Sequence, residues 1–195
     1  MQGRQMTIHW EYVDSLRERY PDLLISRNLF EIDRDRLTCA GGTAALDMMH
    51  VVIQTAHGRS LAAAVSDWFV HTKVRPGTQS QRMDIQDRSG VSDSRLIDVV
   101  RHMESRIDRP RSRSSLARDV GLSTRQLDRL FTKSFGKGLG RHYLELRIHR
   151  AQALLSQTDL PVIDVAIACG FASASHFSRA FKMIVGTPPT KARGN

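Results

Sequence analysis

One supersecondary unit appears twice in this chain, and that repeat constrains the fold more than any other feature. The run Ala117-Arg118-Asp119-Val120-Gly121-Leu122-Ser123, followed by Leu127, Arg129, Phe131 and Gly136, recurs as Ala166-Ile167-Ala168-Cys169-Gly170-Phe171-Ala172, followed by Phe177, Arg179, Phe181 and Gly186. The turn glycine precedes the arginine by eight residues in the first copy and nine in the second, and the phenylalanine precedes the closing glycine by five in both. A period of about fifty residues with matched small, turn, aromatic and basic positions implies one structural unit used twice.

Each copy reads as a short helix, a sharp glycine turn and a second amphipathic helix, the order of a helix-turn-helix. In the first copy Ser123 and Gln126 have the spacing of a capping box, so the second helix starts near Thr124. Its apolar stripe is Leu127, Leu130, Phe131 and Phe135, which leaves Thr124, Arg125, Asp128, Arg129 and Lys133 directed outward. In the second copy Ser173 is the cap, with Phe177, Ala180, Phe181 and Ile184 inside and Ala174, Ser175, Ser178, Arg179 and Lys182 outside. Such a face can enter a major groove, where small residues permit close approach and arginine reads guanine edges or clamps phosphate. Asp128 either accepts from a cytosine amino group or pairs with a neighbouring arginine. The alternative for Arg125, Arg129 and Arg179 is a merely solvated helix face; recurrence at matching positions of two units favours DNA contact for Arg129 and Arg179.

Between the copies, residues 141–156 have a helical stripe of Leu144, Ile148, Ala151 and Leu155, with Arg141, Arg147, His149 and Arg150 largely off it. Sixteen helical residues span about 24 Å. A rod of that size can hold two recognition helices near one duplex turn apart, about 34 Å.

Charge supports this partner. Residues 1–100 carry 12 Lys+Arg against 13 Asp+Glu, whereas residues 101–195 carry 17 against 7, so the net of +9 lies wholly in the C-terminal half. A basic domain attracts phosphate polyanions, but charge alone does not separate DNA from RNA or an anionic membrane. No window approaches eighteen consecutive apolar residues and the N-terminus lacks the pattern of a signal peptide, so the expected location is cytoplasmic. The two cysteines, Cys39 and Cys169, lack the paired spacing of zinc ligands and are expected as buried small apolar side chains.

Upstream, the stretch from Arg75 to Asp93 is rich in Pro, Gly, Ser and Gln and reads as a linker over residues 76–93. Before it, the spacing predicts a helix over 10–20, with Trp10, Val13, Leu16 and Tyr20 on one face, and another over 43–57. Strands are predicted around 23–25, 29–32 and 37–39. Three strands and about three helices make only part of a doubly wound sheet, so the chain is expected to begin inside a domain.

Residues 95–193 resemble the AraC/XylS family of bacterial regulators. The most specific part runs from Thr158-Asp159-Leu160-Pro161-Val162 through Ala166, Gly170-Phe171, Ser173 and Phe177-Ser178-Arg179-Ala180-Phe181-Lys182 to Gly186-Thr187-Pro188-Pro189. Thr7-Ile8-His9-Trp10 and the segment from Leu37 to Asp47 are similar to the C-terminal part of the PfpI-like, glutamine-amidotransferase-like domain that some such regulators carry as a sensor. The resemblance implies a mainly α chain: a partial α/β, doubly wound PfpI-like segment over 1–75, then an all-α DNA-binding domain over 94–195. The helix-turn-helix units are expected near 115–136 and 161–186, joined by a linker helix. Operator or promoter DNA is the expected partner, with RNA polymerase, and a homodimer through the N-terminal segment is open. Relative to the family, the first half of the sensor is missing, so response to a small-molecule effector is not expected. Leu139-Gly140 replaces the usual Ser/Thr-Pro, and Ala192 stands where an aromatic residue is usual.

Two other function classes are weighed. His9 matches a histidine near the active site of PfpI-like proteins, but the elbow that supplies their nucleophile is absent, and Cys39 falls on the closing strand instead, so no enzyme is expected. Gly41-Gly42 before a helix is a weak phosphate signal, better explained by helix–strand packing. The other class is a nonspecific nucleic-acid or RNA binder; RNA recognition usually displays aromatic stacking residues, whereas Phe131, Phe135, Phe177 and Phe181 fall on the inward stripe. No cofactor or metal-ligand set is expected, since none of the eight histidines forms a ligand spacing.

Overall fold

In the computed structural model, which describes residues 3–193, the chain divides into two units, residues 1–82 and 83–195. Residues 1, 2, 194 and 195, at the ends of the expected domains, lie outside the described residues. In the first unit β1 (Gln5–Thr7) and β2 (Leu24–Ser26) pair in parallel across α1 (Val13–Arg19), with Met6 opposite Ile25. β3 (Phe30–Asp33) and β4 (Arg36–Cys39) form an antiparallel hairpin in which Asp33 pairs with Arg36. α2 (Ala44–His57) and α3 (Arg59–Trp68) follow.

The partial α/β segment contains one parallel and one antiparallel pair. Only Arg34 and Asp35 connect the last two strands, with Arg34 at φ 58, and a two-residue turn can close only an antiparallel pair. β1 escapes sequence reading because Gln5-Met6-Thr7 has one apolar residue and so shows no apolar run, unlike the equally short β2. The first helix is shorter than expected and its stripe narrower. Val13 is fully buried and Leu16 half-buried, while Tyr20 is exposed and Trp10 lies at the surface beneath the Arg82 guanidinium, 4.4 Å from its ring. Cys169 is buried as expected, but Cys39 is only half-buried.

The residues expected as a linker, 76–93, are divided between the units. Arg75 donates from its backbone N (2.8 Å), Nε (2.9 Å) and Nη2 (2.6 Å) to the fully buried Asp47, and His71 Nε2 lies 2.9 Å from the same carboxylate. Burial pushes the Asp47 pKa up, but these donors outweigh it and hold the carboxyl below its ordinary value. Gln81 Nε2 donates to Thr7 Oγ1, Ile8 O and Asn28 O. Residues 75–82 are thus fastened to the first unit by side chains, which composition does not reveal. Past them, α4 (Ile85–Ser89) places Ile85, and the chain after it Val91, in a core of the second unit.

The second unit continues with α5 (Ser94–Ser105), α6 (Arg113–Asp119), α7 (Thr124–Phe135), α8 (Leu139–Gln157), α9 (Val162–Ala168) and α10 (Ala174–Val185). The chain is mainly helical, and its named strands all lie in the first unit. Two buried clusters, with no residue in common, fill the second unit. Leu96, Val99, Met103, Leu116, Leu127 and Phe131 belong to one, Val165, Phe171, Phe177 and Phe181 to the other. α8 supplies both: Leu139 and Tyr143 enter the first cluster, Ile148, Ala151, Leu154 and Leu155 the second. Its nineteen residues make it about 28 Å long, a little more than the spacing pattern suggests.

α8 also places His142 against the rings of Phe131 and Phe135, 5.3 and 5.0 Å between centroids, with Nδ1 buried and unbonded. Burial, then Lys137, push its pKa below the ordinary histidine value, against smaller opposing effects of Glu145 and Glu104. The unfolded chain therefore takes up this proton first as pH falls. The stability held by neutral His142 is fully present above the unfolded histidine pKa of about 6.5 and is lost as pH drops below it toward the folded value. The urea midpoint is expected to fall between pH 7.5 and pH 5.5, and by less in His142→Phe; an equal fall in both proteins would assign the loss to other groups.

Candidate nucleic-acid interface

The repeated turn is built from the same backbone contacts in both copies. Leu122 N donates to Ala117 O at 2.9 Å, and Phe171 N donates to Ala166 O at 2.9 Å. Between them the turn glycines, Gly121 and Gly170, take φ of 67° and 73°, which a side chain rarely adopts. Both second helices then start on serine: Ser123 Oγ accepts from Gln126 N while the Gln126 side chain accepts from Ser123 N, and Ser173 Oγ accepts from His176 N. The second turn carries one more residue before its cap, Ala172, and this accounts for the nine-residue offset in place of eight.

These elements dispose the candidate residues as follows. On α7, Thr124, Arg125, Arg129 and Lys133 are exposed and Asp128 is half-buried, all opposite the inward Leu127 and Phe131. On α10, Ala174, Ser175, Arg179 and Lys182 are exposed and Ser178 is half-buried, opposite Phe177, Ala180 and Phe181. Among the described residues Arg125, Arg129, Lys133 and Lys182 have no hydrogen-bond or ion-pair partner, and Arg179 Nε reaches only its own helix, 3.3 Å from Ser175 O. Basic groups left unpaired on a helix face remain available to phosphate or base edges.

Asp128 differs. Arg113 Nη1 lies 3.5 Å from its carboxylate, the neighbouring-arginine alternative weighed above. Arg113 reaches it by lying over Gly140, where a Cβ would fall 2.2 Å from the guanidinium Nη2. Glycine at position 140 therefore makes room for this arginine. Arg113, Thr132 and Arg141 join Asp128, Arg129 and Lys133 around one open cleft beside α7; Arg141 lies by spacing off the apolar stripe of the connecting helix, whereas Arg113 and Thr132 do not stand out in the sequence. The outward position of Thr132, one helical turn after Asp128, was the signal available for it.

Arg147 is the clearest departure from the spacing pattern. It turns inward: its Nε donates to Cys169 O at 2.8 Å, its Nη2 to Gly170 O at 2.7 Å, and the guanidinium lies 3.8 Å from the centre of the Phe171 ring. Burial lowers its pKa. It caps the carbonyl end of α9, where a cation is favourable to the helix dipole. His9 lies partly exposed between Trp10 and Tyr12, and no group of three or more metal-binding side chains occurs among the described residues.

Comparison with known proteins places this geometry. Residues 116–195 match the family described as Helix-turn-helix domain. The chain is 42% identical over 193 residues to the HTH-type transcriptional regulator CdhR of Pseudomonas aeruginosa, covering 99% of this chain and 57% of the relative. It is 39% identical to the HTH-type transcriptional regulator GlxA of Rhizobium meliloti, covering 99% of this chain and 60% of the relative. The chain thus spans less than two thirds of the curated relatives it matches. Among solved structures, a transcriptional regulator from Chromobacterium violaceum described as having an AraC-type DNA-binding domain is 39% identical, covering 52% of this chain and 91% of that one, with a TM-score of 0.50. On these likenesses, and above all on the solved regulator that the chain matches over 91% of its length, the chain belongs to the AraC-type helix-turn-helix family.

Proposed function

We propose that this chain is a sequence-specific DNA-binding transcription regulator of bacterial operons that reads two successive major grooves with α7 and α10. The observation that carries this reading is the repeated exposed face, Arg125 and Arg129 on one helix and Arg179 and Lys182 on the other, each opposite its own phenylalanine core. Positive charge without aromatic display favours duplex DNA over single-stranded RNA, because Phe131, Phe177 and Phe181 are fully buried. The proposal includes a cytoplasmic location, contact with RNA polymerase at promoters, and pairing of chains through a first unit of PfpI-like, sensor-domain type. No helix among the described residues is long and apolar enough to cross a membrane.

Footprinting of the full chain on the DNA upstream of its own operon tests the reading. The expected result is one protected site of about 20 bp per chain, covering two adjacent major grooves on one face of the duplex. Protection of one groove per chain, or protection erased equally by random competitor DNA, would overturn it.

A further inference from the structure

Two readers on one chain recognise a spacing as well as a sequence, so whatever fixes their separation is part of specificity. α8 alone does not fix it. The two cores of the second unit have no residue in common, and a single helix between two bodies leaves each free to twist about its own end. A second connection exists. The loop between α5 and α6, residues 106–111, is bonded to the first helix-turn-helix through Arg111, which pairs with Asp119 and donates to Ser115 Oγ at 2.6 Å. The same loop crosses to the second helix-turn-helix and sits on its turn. A Cβ at Gly170 would lie 2.6 Å from Ile107 O, 2.6 Å from Pro110 Cδ and 3.0 Å from Asp108 O, so the two backbones meet at a distance only glycine allows.

α8 clamps both sides of this junction. Tyr143 Oη donates to Arg106 O at 3.0 Å, holding the loop, and one turn later Arg147 holds the Cys169 and Gly170 carbonyls, fastening the turn on which the loop rests. We propose that this junction of Tyr143, Arg147, Gly170 and the 106–111 loop is a spacing lock. It holds α7 and α10 at one separation and so selects the distance between the two half-sites that the chain accepts. Tyr143 and Arg147 are positioning residues in this assignment and touch no base. The inference rests on the two-reader function proposed above.

A rigid connection matched to its target gives a high effective concentration for the second reader at one spacing and little at others; a loosened one gives less at the optimum and spreads the preference. The test is selection from, and then titration against, duplexes in which the two half-sites are separated by spacers of graded length, alongside duplexes carrying one half-site. The parent chain is expected to lose about tenfold or more in affinity when one base pair is added or removed, and Tyr143→Phe and Arg147→Lys only about threefold or less. Both variants are expected to bind isolated half-sites as the parent does. Arg147→Lys keeps the charge but loses the two-pronged grip, so a lysine that preserves the spacing preference would overturn the lock and make Arg147 a simple cation. Tyr143→Phe removes a single hydroxyl, which keeps the test available if Gly170→Ala or Arg147→Lys fails to fold. Spacing preference unchanged in Tyr143→Phe and Arg147→Lys sinks the inference while leaving the two-reader function intact. A parent chain indifferent to spacing that also protects only one groove sinks both.

Discussion

Alanine at both Arg129 and Arg179 is expected to weaken binding to the recognised site by about 2–6 kcal/mol, while changing the stability of the chain by no more than about 0.5 kcal/mol. The affinity loss is the sum of about 1–3 kcal/mol for each arginine that contacts a base, and the sum holds because the two side chains lie on different helices and share no partner. Stability is spared because both side chains are exposed and neither holds an ion pair in the free protein. Titration of the parent, the two single variants and the double variant on the recognised duplex and on random DNA checks this. Each single variant should relax base preference in its own half-site only. Equal weakening on random DNA would reassign both arginines to phosphate contact, and a single variant that lost preference in both half-sites would break the assignment of one helix to one groove.

The parts of this architecture that were legible in the sequence are those set by neighbours along the chain. The capping box joins Ser123 and Gln126, three positions apart, the glycine turn joins residues five apart, and the phenylalanine stripes of α7 and α10 run over one to two helical turns; each carries its own physical rule. Arg147 shows where such reading stops. By spacing it lies off the apolar stripe of α8, yet its partners are the carbonyls of Cys169 and Gly170, twenty-two and twenty-three residues away, which no local pattern announces. Asp47 and Arg75 are a second instance, a buried ion pair across twenty-eight residues whose arginine stands in a stretch that reads as a linker by composition. The candidate interface follows the same division: the outward faces of α7 and α10 could be written down from the helical period, but Arg113 joins the first face only because Gly140, on another helix, leaves room for it.

Phe177→Ala is expected to cost about 3–5 kcal/mol, the range for removing a buried phenylalanine from a core. Its ring is fully buried, in edge contact with Phe171 at 5.1 Å and Phe181 at 5.6 Å, so truncation leaves a cavity bounded by two large rings that cannot follow it inward without leaving their own contacts. Against a domain stability of about 5–15 kcal/mol this is about a fifth of the total or more. The loss should be local. The first cluster, centred on Phe131 stacked with Phe135 at 4.6 Å, contains no residue of the second, so hydrogen exchange should rise in α9, α10 and the end of α8 while α5, α6 and α7 keep their protection. On DNA the variant should keep the half-site read by α7 and release the other, since the 106–111 loop loses the turn it rests on. Phe131→Ala should give the mirror result. Protection lost together across α5–α10 in either variant would show the two cores to be one cooperative body, in which a half-site could not be given up alone.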